Sequence, residues 1–251
     1  MHPAEAVPTA GRHGHPSPLL TDHRRALLYG GVLIALTIGM LLGVGIHPTA
    51  VAPITTLPVI GHVDASFYDR IVQVRGTFLT AIYKLLDVTG RGIVTIPLRL
   101  VLLGVLLWRR RWGATAAFAL AWLTSEIGVE VLKMTFHRGR PPIPLVVTSG
   151  YSFPSGHATA GAAIAVSVVL AFLLHGARRR KWIGAAIAFA FAMASSRVYL
   201  GAHWLSDVET GVLLGTSLAV LSFAVVDEIR HVALRRAATG DRMADDVAPP
   251  V

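Results

Sequence analysis

Residues 92–134 read GIVTIPLRLVLLGVLLW-RRRW-GATAAFALAWLTSEIGVEVLKM. Two apolar runs, 92–108 and 113–134, flank a block of three arginines, Arg109 to Arg111. Each run is close to the roughly 20 residues a helix needs to cross a bilayer. A basic cluster wedged between two such runs marks a cytoplasmic turn. The same grammar recurs along the chain. Apolar runs lie at about 26–46, 158–174, 182–199 and 208–226. Arg24 and Arg25 precede the first, Arg178 to Lys181 separate the fourth and fifth, and Arg230, Arg235 and Arg236 follow the last. All four basic clusters share one side if there are six crossings. The expected fold is therefore all-α, an integral-membrane bundle of six transmembrane helices with both termini cytoplasmic.

Composition agrees. Of 251 residues, 53% are hydrophobic and 15% charged, and the mean hydropathy is +0.60. Soluble domains carry about 25% charged residues. The net charge of +9 is explained by Arg clusters beside apolar runs, so no nucleic-acid partner is expected. There is no Cys, which excludes disulfides, thiolate metal sites and thiol catalysis. Three regions follow: a polar tail over 1–24, a membrane domain over 25–237 and a second tail over 238–251. Both tails are expected to be disordered. His2, His13, His15 and His23 in the first are read as tail residues rather than metal ligands. The outward segment 47–91 carries Phe67, Ile71, Val74 and Phe78 at helical spacing, with Asp64, Asp69 and Arg75 among them. It is either an interfacial helix or one packed on the spans. Lys84 and Asp87 flank or cap a further short helix, and Thr89–Gly92 marks a break.

Three clusters carry chemistry, and all fall on the side opposite the basic turns. The first runs from Lys133 to Pro142. Pro141 and Pro142 end a helix and hold Arg140 in a stiff corner, from which a guanidinium can grip a phosphate with two parallel hydrogen bonds. Lys133 is a second cation, and Arg138 is read as snorkelling to headgroups. The second is Pro154-Ser155-Gly156-His157. Ser155 is an N-cap, Gly156 leaves backbone N–H groups open, and a helix N-terminus favours anions. The third contains Arg197, His203 and Asp207. His203 and Asp207 are one helical turn apart, so the carboxylate can fix the imidazole tautomer and free the other nitrogen as a nucleophile. Trp204 either shapes the pocket or anchors at the interface. Together these residues suffice for phosphoryl transfer by positioning and charge stabilisation, with no carboxylate cluster to hold a metal and no cofactor expected.

Lys-x6-Arg-Pro, Pro-Ser-Gly-His and Ser-Arg-x5-His-x3-Asp resemble the signature of the type-2 phosphatidic acid phosphatases. Every specified position is matched in the expected order, between Lys133 and Asp207. The resemblance implies that Lys133, Arg140, Arg197, Ser155 and Gly156 bind the phosphoryl oxygens. It implies that His203 attacks phosphorus, Asp207 orients it, and His157 protonates the leaving oxygen and then activates water. The implied partners are the bilayer and a membrane lipid phosphate or diphosphate, such as undecaprenyl diphosphate, phosphatidic acid or phosphatidylglycerophosphate. The implied location is the cell membrane, with the site facing outward. The alternatives are a lipid phosphotransferase, a haloperoxidase-like anion site, and a non-catalytic lipid-binding or transport protein.

Outside the signature, Arg99, Glu126 and Glu130 lie inside apolar runs, where charge is costly unless paired. At about 1.5 Å per residue, Arg99 and Glu126 lie roughly 10 and 12 Å from the outer ends of their runs. Matching depth predicts an Arg99–Glu126 pair. Glu130 is expected to hold Lys133.

Overall fold

The computed structural model describes residues 23–44, 58–172 and 177–247. They form eight helices: α1 (His23–Val44), α2 (Pro58–Gln73), α3 (Thr77–Gly90), α4 (Gly92–Trp108), α5 (Trp112–Phe136), α6 (Gly156–Phe172), α7 (Ala177–Tyr199) and α8 (Leu205–Val247). The all-α expectation holds, with no strand among the described residues. Helices α1, α5, α7 and α8 are long and apolar enough to cross a membrane. Helices α3 and α4 meet that test only together, as one span bent by 50° at Arg91. The sequence reading took 92–108 alone as the second span. At 17 residues, α6 is apolar but shorter.

The close-packed centre is the pairing of α6 with α8, and small residues allow it. A Cβ on Gly215 would stand 2.2 Å from the Thr159 carbonyl oxygen, and one on Gly211 2.7 Å from that of Ser155. The two glycines are spaced as a small-xxx-small motif, which lets helix backbones touch where lipid removes the hydrophobic drive. Around this seam, Leu106, Phe118, Leu170 and Phe223 join α4, α5, α6 and α8. Large apolar side chains point outward instead, among them Leu28 and Leu42 of α1 and Ile93 and Val101 of α4.

Helix α2 shows the same inversion. Asp64 and Tyr68 are buried, while Val59 and Val63 are exposed. The chain breaks between Gln73 and Thr77, so Phe67, Ile71, Val74 and Phe78 do not form one stripe. Of the two readings of this segment, the packed one describes α2, and its polar face does the packing.

The expected N-terminal tail lies almost wholly outside the described residues, and with it His2, His13 and His15. At the other end, α8 continues as helix through Val247, across most of the expected 238–251 tail. Arg230 of α8 lies over Gly113 at the start of α5, beside the Arg109–Arg111 turn. The three signature clusters gather at the opposite end of the bundle.

Candidate active site

Four helix ends build the site: the C-termini of α5 and α7 and the N-termini of α6 and α8. The α5 chain leaves through His137, in the left-handed conformation at φ 48°, and delivers Arg138 and Arg140. The Ser155 amide donates to the Asp207 carbonyl at 3.0 Å, tying the start of α6 to the start of α8. Ser155 is fully buried and precedes α6 as its cap residue. Gly156 and His157 then occupy the first turn, whose N–H groups have no acceptor within the helix.

His203 is buried at the centre. Its Nδ1 lies 2.6 Å from the Ser152 carbonyl, and its Nε2 lies 3.3 Å from Arg140 Nη1. A carbonyl can only accept and a guanidinium can only donate. The proton therefore sits on Nδ1, and Nε2 presents a lone pair. Burial pushes the His203 pKa down to about 4, and Arg197 and Arg140 add to this against the opposing pull of Asp207.

Asp207 stands 3.6 Å from His203 Nδ1, beyond hydrogen-bond length. The sequence reading made it the group that fixes the imidazole. In the structure the Ser152 carbonyl makes the shorter contact to Nδ1, and Asp207 Oδ2 pairs with the same nitrogen at the longer distance. Its own carboxylate is held by Arg138 at 2.5 Å and by the Trp204 amide at 2.9 Å.

Arg138 corrects a second expectation. It does not snorkel: it is 7% exposed and forks between Asp207 and Asp64, both at 2.5 Å. It also donates to Ser206 Oγ at 2.7 Å. Burial works against its charge, but Asp207 and Asp64 raise its pKa above the ordinary value. The hydrophobic surroundings implied by its position in sequence gave no sign of these two partners. Trp204 belongs to the site wall, with its indole N–H on the Gly139 carbonyl at 2.9 Å and its ring edge-on to Tyr68.

Arg140 is collared by carbonyls. Nε donates to Gly150, Nη1 to Ala202, and Nη2 to Ser149 and Tyr151, at 2.7–3.0 Å. Its remaining contact is His203 Nε2. Burial lowers its pKa, with Asp207 opposing.

Arg197 and His157 meet at Asp87. This carboxylate is 2% exposed. It accepts from Arg197, and from Arg91 at 2.6 and 3.0 Å, and lies 3.5 Å from His157 Nε2. A Cβ on Gly90 would come within 2.4 Å of the His157 ring. Gly90, read from sequence as part of a break, thus makes room for that ring. Lys133 bonds Glu130 at 3.2 Å, as expected, and its charge, with those of Arg91 and Arg140, reaches His157. Arg99 bonds Glu126, also as expected, and lies under the Trp122 ring.

Asp64, Asp87 and Arg138 are the buried charges that motif reasoning left without a role. For the two aspartates the available signal was weak, because α2 also carries Asp69 and Arg70 and α3 carries Lys84.

A family model described as the PAP2 superfamily matches residues 114–230. Phosphatidylglycerophosphatase B of Bacillus subtilis (strain 168) is 30% identical over 200 residues, covering 76% of this chain and 93% of that protein. Decaprenylphosphoryl-5-phosphoribose phosphatase of Mycobacterium tuberculosis (strain CDC 1551 / Oshkosh) is 36% identical over 136 residues, covering 52% of this chain and 69% of that protein. Among solved structures, a transmembrane PAP2-type phosphatidylglycerolphosphate phosphatase from Bacillus subtilis superposes with a TM-score of 0.63. It is 24% identical, with 84% of this chain and 98% of that one covered.

Proposed function

The chain belongs to the PAP2 superfamily and is a phosphoric ester hydrolase acting on lipids; from this premise we propose that it cleaves a lipid phosphate or diphosphate through a phosphohistidine on His203. One observation carries the reading: the bonding of His203, which leaves Nε2 bare beside Arg140 Nη1. In the first step Nε2 attacks phosphorus, the bond from phosphorus to the leaving oxygen breaks, and His157 gives that oxygen its proton. In the second step His157 takes a proton from water, which attacks phosphorus and releases phosphate from His203.

Arg140, Arg197 and Lys133 meet the charge on the phosphoryl oxygens, so the step draws on side-chain cations rather than a metal. Arg140 Nη1 can pass from His203 to an oxygen as the new N–P bond forms. Arg197 Nε, buried and without a hydrogen-bond partner among the described residues, is a donor in reserve. The amides of Gly156 and His157 add the anion preference of a helix start.

A cavity of about 860 Å³ supports a lipid substrate. It runs between α2, α6, α7 and α8, walled mainly by apolar side chains such as Phe67, Val169, Ile187, Val198 and Val208. It suits the tail of a lipid whose head is at His203. Six crossings remain our reading of the topology: α1, the bent α3–α4 pair, α5, α6, α7 and α8. The basic clusters support a topology with both termini in the cytoplasm and the site outside. Phosphatidylglycerophosphate and decaprenyl phosphates, named for the relatives, and undecaprenyl diphosphate are the substrates to try first.

The test is phosphate release from these lipids by the purified chain in detergent with EDTA. His203→Ala should abolish release, and acid quenching of the wild type should trap an acid-labile phosphoprotein. Unchanged turnover in His203→Ala would remove the proposed nucleophile. Activity lost in EDTA and restored by magnesium would remove the metal-free mechanism.

A further inference from the structure

An open hollow of about 630 Å³ adjoins the site between α3 and the 144–147 loop. Its wall carries Lys84 and Asp87 of α3, one turn apart on one face, and, at the bend just past the helix, Arg91, which bonds Asp87. Asp87 is the connection to the reaction centre, because it touches His157 and Arg197 on one side and Arg91 on the other. The hollow is thus separated from His157 by Asp87.

Its charge is unbalanced. Asp87 is one carboxylate on its wall against two cations, Arg91 and Lys84, and Arg197 binds Asp87 from the other side. Arg91 is half exposed towards the hollow even while bonded to Asp87. Lys84 is exposed and has no ion pair or hydrogen bond among the described residues. Snorkelling to headgroups would explain one such cation. It does not explain two lining one concavity beside the carboxylate that His157 contacts.

We propose that this hollow is a second anion subsite, in which Lys84 and Arg91 hold a phosphate carried on the leaving group of the substrate. The inference rests on the phosphatase reading above and narrows it. The leaving oxygen is the one that His157 protonates, so the departing group lies on the His157 side. A lipid monophosphate departs as a neutral alcohol and has no use for cations there. A lipid diphosphate departs as a lipid phosphate, and a headgroup such as glycerophosphate departs with a phosphodiester. Both put negative charge where Lys84 and Arg91 stand. Interactions that hold the departing anion as it gains charge raise the rate of the first step and not only binding.

The test uses the full chain in neutral detergent micelles, which removes any anionic surface. Three substrates are compared: a lipid diphosphate, a phosphatidylglycerophosphate and a lipid monophosphate. The readout is selectivity, the ratio of kcat/KM for each two-phosphate substrate to that for the monophosphate. Lys84→Gln should lower that ratio about tenfold, in the range of one charge-assisted hydrogen bond. Lys84→Glu should lower it further, and Lys84→Arg should retain it. A fall confined to the diphosphate assigns the subsite to a directly linked phosphate. A fall confined to phosphatidylglycerophosphate assigns it to the more distant phosphodiester. A ratio unmoved in Lys84→Gln and Lys84→Glu, while the wild type hydrolyses all three lipids, overturns the subsite and leaves the phosphatase reading intact. If the wild type releases phosphate from none of them, the phosphatase reading itself falls.

Discussion

Arg138 and Asp207 show how much of the site depends on charges that never touch the reacting atoms. Two carboxylates, Asp64 and Asp207, converge on one guanidinium. Arg138→Met would leave both buried without a counter-charge, which typically costs about 3–5 kcal/mol. A large drop in the thermal midpoint in detergent is the expected result; a midpoint within a degree of wild type would contradict it. His203 gives a pH signature. Its folded pKa of about 4 lies below the ordinary 6.5, so the folded state binds this proton less readily than the unfolded state. The sign follows from linkage. The contribution is whole above pH 6.5 and is lost as pH falls towards 4. Melting curves across that window should show His203→Asn losing less stability than the wild type. Gly156 tests the cradle separately from packing. A Cβ there would meet Val129 at an ordinary 3.7 Å, so Gly156→Ala should fold normally. A loss in kcat/KM would then report obstruction of the phosphate. The signature residues were legible because each combines a reactive type with fixed spacing. Arg138 was not, since a cation near a helix end reads equally well as snorkelling until Asp64 and Asp207 are seen beside it.

At the level of helices, the α6–α8 seam sets the position of Ser155 relative to Asp207. Gly215 has no room for a side chain against the Thr159 carbonyl. Gly215→Val should force the helices apart, at a cost of about 1–3 kcal/mol from overpacking, and reduce turnover although the residue lies a turn or more from the chemistry. Normal activity and melting together would show that the seam is soft. The apolar runs announced five of these helices to within a few residues. What stayed hidden was the role of α2 and α3. Sequence periodicity locates an apolar face, but in lipid that face turns outward. The faces that matter carry Asp64 and Asp87, whose charged partners lie on other segments of the chain. The bend at Arg91 was equally hard to read, because Thr89–Gly92 marks a break without saying that the two short helices reach the length of a crossing only together.

For the molecule as a whole, the distribution of charge makes the topology testable. The native chain has no Cys, so any single introduced thiol is unique. A cysteine at Val147, which is 97% exposed, should react with a membrane-impermeant maleimide added outside intact cells. One at Lys181 should react only after lysis, and the reverse pattern would invert the topology. The Arg99–Glu126 pair, predicted from depth alone, is a second global test. Arg99→Leu should destabilise the protein by leaving Glu126 without its partner, and Arg99→Leu with Glu126→Leu should recover much of the loss. Beyond these, the buried carboxylates have a consequence for modularity. Asp64 and Asp87 precede residue 114, where the family match begins. A chimaera that grafted 114–230 onto foreign leading helices would inherit every signature residue. It would still lack Asp64, one of the two counter-charges of Arg138, and Asp87, the counter-charge of Arg197, and so should carry the motif with an unbalanced centre.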